Sequence, residues 1–140
     1  MAIFTESVCL NWFNEASLKF VNSKTHINWD KSIKDKDQVI KALNSNWHRI
    51  QVKIYKYILS VSSKYYGNEK IDPDKILAKV NLDAIAFEDD TETVNVYITY
   101  NKDGKVKDFL GGNELAVYIE IYRNGDNDYE IYDDDISVEI

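Results

Sequence analysis

The hydrophobic period changes part-way along the chain. Between residues 35 and 66, Val39, Leu43, Trp47, Ile50, Ile54, Ile58, Val61 and Tyr65 recur at steps of three and four. That spacing draws one apolar stripe along a helix. Lys41, Arg49, Lys53, Lys56 and Lys64 lie mostly off the stripe and should face water. Asn44-Ser45-Asn46 interrupts it with weak helix formers, so the segment reads as two helices or as one with a kink. Gly67-Asn68 supplies the chemistry of a C-terminal cap. Asp72-Pro73-Asp74 then reads as the start of a short helix that buries Ile76, Leu77 and Val80.

From Leu82 onward the period becomes two. Residues 84–87 read as a strand. Val94, Val96, Ile98 and Tyr100 alternate with Thr93, Asn95, Tyr97 and Thr99. Asn101-Lys102-Asp103-Gly104 is a turn signal of the hairpin type, followed by a short return strand at 105–110 that Gly111-Gly112 breaks. Leu115, Val117, Ile119 and Ile121 alternate with Ala116, Tyr118, Glu120 and Tyr122. Arg123-Asn124-Gly125-Asp126 turns the chain again, and strands at 128–132 and 136–140 complete a meander. In the last of these Ile136, Val138 and Ile140 share one face. The first thirty residues are less regular: two short strands at 3–10 and 17–21, then a polar loop at 22–32 containing Trp29.

Short turns connect antiparallel neighbours. The aliphatic sheet face must be covered, and the helical stripe is the large apolar surface available to cover it. The expected fold is therefore α+β: a two-layer sandwich, with an antiparallel β-sheet drawn mainly from the C-terminal half and helices packed on one face. Neither a linker nor a repeat interrupts residues 1–140, which read as a single domain.

Composition sharpens this picture through charge. The formal net charge is −7 and the isoelectric point about 4.8. Residues 1–80 hold 13 Lys and Arg against 8 Asp and Glu, whereas residues 81–140 hold 4 against 16. Free nucleic acid is excluded as an expected partner, because phosphate binding needs a basic surface. An acidic half suits either pairing within the chain or recruitment of a basic protein. No apolar run approaches the ~20 residues of a membrane span. The single cysteine, Cys9, rules out an internal disulfide. Neither a membrane partner nor a signal peptide is expected, and the expected location is the cytoplasm.

By strand parity, the face opposite the aliphatic one presents Tyr97 and Thr99, then Tyr118, Glu120 and Tyr122, then Glu130 and Tyr132, with Asp133 nearby. Tyr97, Tyr118, Glu120, Tyr122, Glu130 and Asp133 are the expected partner-binding residues. Tyrosine offers large contact area and a hydroxyl at small entropic cost, which is why interface centres favour it. Tyrosine also suits strands by propensity, so such a face arises for structural reasons too. Glu88, Asp89, Asp90, Asp126, Asp128, Asp134 and Asp135 form its acidic rim. The rim acids are hard oxygen ligands of the kind calcium takes, but their spacing is not that of a calcium loop, so no metal or cofactor is expected. The two histidines, His26 and His48, have no partner pattern, and neither a phosphate loop nor a nucleophile elbow is present. No catalytic residue is expected and the chain reads as a non-enzyme.

Residues 94–100, the segment Asp108-Phe109-Leu110-Gly111-Gly112-Asn113 and residues 114–122 together look like the strand, Leu-Phe-Gly-Gly-like turn and strand of small bacterial immunity proteins. Those proteins neutralise polymorphic or contact-dependent toxins. The resemblance covers about the last 50 residues. It implies an acidic α+β domain whose partner is a protein toxin with a basic surface, a nuclease being the kind expected. The alternatives are a phage-encoded inhibitor or DNA mimic acting on a host nucleic-acid-binding protein, a small enzyme or ligand-binding domain, and a homodimer formed through the tyrosine face.

Overall fold

The computed structural model describes residues 26–66, 80–109, 111–125 and 127–140. Strand β1 (His26–Trp29) leads into helices α1 (Lys36–Ser45) and α2 (Trp47–Tyr66). Strands β2 (Val80–Asp90) and β3 (Thr93–Lys102) follow, then the short helix α3 (Gly104–Phe109) and strand β4 (Glu114–Arg123). The two-residue β5 (Tyr129–Glu130), a 3-10 turn at Asp133–Asp135 and β6 (Ile136–Glu139) end the chain. Among the described residues, six strands form one sheet in the order β1-β2-β3-β4-β5, with β6 also pairing β4. All pairs are antiparallel except β1 with β2.

The helical stripe is the wall of the core. Val39, Leu43, Trp47, Ile50, Ile54 and Ile58 are all buried and join one cluster with Val94, Val96, Ile98, Leu115, Val117, Ile119 and Ile121. Each large aliphatic side chain so buried contributes about 1.5–3 kcal/mol. The fold is thus α+β, with helices closing one face of a mainly antiparallel sheet. Asn46 makes the break between α1 and α2. Its side-chain Nδ2 and its backbone N–H both donate to the Ala42 carbonyl, while its own carbonyl accepts from the Ile50 N–H. One residue thus ends α1 and satisfies an early donor of α2.

Strand parity survives along the sheet because β2 carries a bulge. Leu82 pairs with Tyr100 and Ala84 with Thr99, leaving Asp83 as the extra residue. The bulge keeps both Leu82 and Ile85 on the core side, three positions apart.

Several sequence expectations are corrected. The polar stretch around Trp29 is not wholly loop: residues 26–29 are a strand lying parallel to β2, with Trp29 stacked on Phe87 at 3.7 Å and 5°. A parallel pair requires a long crossover, and the two helices are that crossover. The expected return strand at 105–110 is instead helical over Gly104–Phe109. Gly104 takes φ +54°, which favours glycine, and α3 buries Val106. Val80 opens β2 rather than ending a helix, and its neighbour across the ladder, Lys102, is buried with it. The 128–132 strand shrinks to Tyr129–Glu130, and Ile140 is 42 % exposed rather than inside. The strands expected at 3–10 and 17–21, the cap at 67–68, the short helix at 72–79 and Cys9 lie outside the described residues. No described helix is long and apolar enough to cross a membrane.

Candidate protein-docking face

The described helices all deliver their buried residues to one side of the sheet. The other side begins with direct register neighbours: Ala86 beside Tyr97, Tyr97 beside Tyr118, and Tyr118 beside Ser137. One step along, Glu88, Asn95 and Glu120 line up across the sheet. One step further, Thr93, Tyr122 and Glu130 do the same. Strand parity therefore gathers Tyr97, Tyr118, Glu120, Tyr122 and Glu130 on one face, as expected. Thr93 and Asn95 are buried there, joined by a hydrogen bond from the Thr93 hydroxyl to Asn95 Oδ1 (3.1 Å).

The face has an internal order. The Tyr97 and Tyr118 rings are 4.9 Å apart and tilted by 45°, and Tyr122 and Tyr132 are 5.3 Å apart and tilted by 59°. These are the offset geometries aromatic pairs prefer. Between the pairs stands Glu120, whose two carboxylate oxygens accept from the Tyr118 hydroxyl (2.9 Å) and the Tyr122 hydroxyl (3.3 Å). Burial, and then the Glu120 charge, push the Tyr118 hydroxyl above the ordinary phenol range. Tyr122 is raised by loss of solvent and by Asp135 and Glu120. The Tyr132 hydroxyl donates to Glu130, which raises it too. All three phenols therefore stay protonated donors at neutral pH. Asp135 lies beside Glu120; partial burial first, and then the Glu120 carboxylate, raise its carboxyl above the ordinary value of 3.8. Among the described residues, no cationic side chain is ion-paired with Glu120 or Asp135.

Asp133 is held elsewhere. Arg49 of α2 donates to its carboxylate from both Nε and Nη2, and to the Ile131 carbonyl and Asn46 Oδ1 from Nη1. Lys53 donates to the Asp133 carbonyl. The Arg49 hydrogen bonds and charge lower the Asp133 carboxyl. Asp133 thus buckles the C-terminal turn onto α2, apart from the tyrosine face.

A second acid cluster escaped the sequence reading. Arg123, at the end of β4, places Nε and Nη2 on the two oxygens of Asp35 (2.8 and 3.1 Å) and Nη1 on Asp89 (2.7 Å). Nη1 also reaches the carbonyls of Thr91 and Thr93. Tyr129 donates to Asp35. The Arg123 hydrogen bonds hold Asp35 below the usual carboxylate range, and Arg123 itself is raised by them. Burial and the Asp35 carboxylate push Tyr129 up to about 12. Asp35 stands at the N-cap of α1 yet makes no side-chain cap bond, because its carboxylate is taken by Arg123 and Tyr129. Periodicity places Asp35 at a helix start and Arg123 in a turn, and carries no signal that they meet across 88 positions.

Of the remaining candidates, His48 is exposed on α2, and Asp126 lies outside the described residues. Among the described residues, no group of three or more acidic, histidine or cysteine side chains is arranged to hold a metal ion. Comparison of the chain with models of known families, with curated proteins and with solved structures gave no match.

Proposed function

We propose that the chain is an immunity protein, a non-enzymatic binder that docks a basic toxin of the nuclease kind on its outer sheet face and occludes it. The observation that carries this reading is the gathering of Tyr97, Tyr118, Tyr122 and Tyr132 around acceptor carboxylates on a face the described helices leave open. Phenol rings supply contact area at the centre, and Glu120, Glu130 and Asp135 supply the negative field. Nuclease sites are basic because they hold phosphate, so an acidic face competes for the same potential. Asp133 enters the proposal as a positioning residue for the C-terminal turn and not as a central contact.

The test is co-expression with the product of the neighbouring gene, scored by complex formation and by rescue of growth. Truncating a central tyrosine should cost about 2 kcal/mol or more of binding. Tyr118→Ala and Glu120→Ala leaving both affinity and protection intact would remove this face from the function. Capture of a host DNA-binding protein in place of a toxin would move the reading to an inhibitor of that protein.

A further inference from the structure

The chain contains its own example of what a tyrosine beside two carboxylates accepts. Asp35, Asp89 and Tyr129 converge, and the guanidinium of Arg123 fills the convergence with a bidentate contact to one acid and a single contact to the other. On the outer face β4 pairs antiparallel with β6, Tyr118 with Ser137 and Ile119 with Ile136, so the next positions, Glu120 and Asp135, adjoin, and Glu120 accepts from Tyr118 and Tyr122. Here the described residues supply no cation, and the two acids repel one another. Both oxygens of Glu120 are aimed by phenol donors, and an aromatic pair stands on either side of it. A planar guanidinium fits such a place better than an ammonium does. It spans two carboxylates with a fixed fork of donors and lays its plane on aromatic rings.

We infer that the cradle between the Tyr97–Tyr118 and Tyr122–Tyr132 pairs receives one arginine side chain of a basic protein partner, its guanidinium bridging Glu120 and Asp135. This rests on the outer face being a protein-docking surface and names the chemistry that recognises the partner. A second copy of this chain is the wrong occupant on charge grounds, since the face would meet its own acids. The carboxyl of Asp135, raised by burial first and then by Glu120, agrees with the assignment, because a cation there offsets the Glu120 repulsion.

The experiment titrates the full chain with acetyl-Gly-Arg-Gly-amide and with its lysine and citrulline counterparts, following carboxyl and tyrosine ring signals by carbon NMR. The arginine peptide should move Glu120, Asp135, Tyr118 and Tyr122 together and lower the titration midpoint of Asp135. The lysine peptide should bind more weakly, and the uncharged citrulline peptide should not bind. Glu120→Gln should weaken the arginine peptide about five- to tenfold, whereas Glu114→Gln, on the same strand at its exposed start, should leave it unchanged. Equal binding of the citrulline peptide, or shifts confined to other surfaces, overturns the inference. So does a dimer whose interface is this face. Loss of the arginine response while Tyr118→Ala still abolishes protection sinks the cradle alone. An intact response with protection indifferent to Glu120→Gln keeps the receptor and removes the toxin reading.

Discussion

Two places in this molecule gather the same groups, two carboxylates with tyrosine hydroxyls, and end in different states. At one edge, Asp35 and Asp89 with Tyr129 enclose Arg123. On the outer face, Glu120 and Asp135 sit with Tyr118 and Tyr122 and have no cation among the described residues. The first arrangement ties the start of α1 to the ends of β2 and β4 and serves the fold. The second holds two acids close together with nothing within the described chain to gain from it. What separates the two clusters is whether a described residue supplies the base.

The contrast predicts opposite responses to mutation. Removing the base at the edge should do the most damage. Arg123→Met leaves Asp35 and Asp89 partly buried without a counter-charge, and urea unfolding should show a loss of about 2–4 kcal/mol. A loss under 1 kcal/mol would mean that solvent replaces Arg123 there. At Arg49, 41 % exposed against an Asp133 that is 70 % exposed, Arg49→Ala should cost about 1 kcal/mol or less.

Thr91 sharpens the edge side of the comparison. This β-branched residue sits at φ +37° in the β2–β3 turn, and its carbonyl accepts from Arg123. A left-handed φ costs a non-glycine residue about 1–2 kcal/mol. Thr91→Gly should recover about 0.5–1 kcal/mol of it after its own entropic cost, read as a rise in the urea midpoint. No rise would show that the Arg123 contact, and not the residue type, sets that turn.

The smallest effect belongs to the outer face. Asp135→Asn and Glu120→Gln should each leave stability within about 0.5 kcal/mol or raise it slightly, since repulsion is removed. The pH dependence at Asp135 should differ in sign from that at Asp35. Asp35 has its folded carboxyl lowered from 3.8, so its contribution is present above that value and is lost as pH falls through the lowered one. Asp135 is raised, so its contribution is fully present below 3.8 and is lost as pH rises through the raised value. Stability measured against pH should therefore lose its acid limb partly in Asp35→Asn. Asp135→Asn should lose the decline just above 3.8. Limbs below and above 3.8 that change together in both variants would break the distinction.

The legible and illegible parts of this chain divide by range. The helical stripe and the alternation in β3 and β4 are local repeats, and both the layer arrangement and the tyrosine face follow from them. The interruption at Asn44-Ser45-Asn46 is legible, as a break or a kink, because weak helix formers stand together there. Strand β1 was not: only Ile27 and Trp29 are apolar in it, and a four-residue parallel strand has no turn beside it to announce it. Ile27 and Trp29, two apart, were the available signal. Residues 105–110 read as a strand because Asp103-Gly104 promises a tight hairpin, while burial of Val106 in helix α3 outweighs that local preference. The Arg123 clamp was invisible because its three acid and phenol partners come from three separate elements. Asp133 is expected beside the tyrosine face, but its side chain follows Arg49 of α2.

The parallel seam between β1 and β2 also sets an order in time. His26 finds its partner, Ala84, fifty-eight positions later. On a ribosome the first strand and both helices emerge before there is any sheet to receive them, so their oily stripe spends that interval with only itself or a chaperone for company. Closing so wide a loop is entropically slow. Seating of β1 should be a late folding event, and the seam the first part of the sheet to come undone.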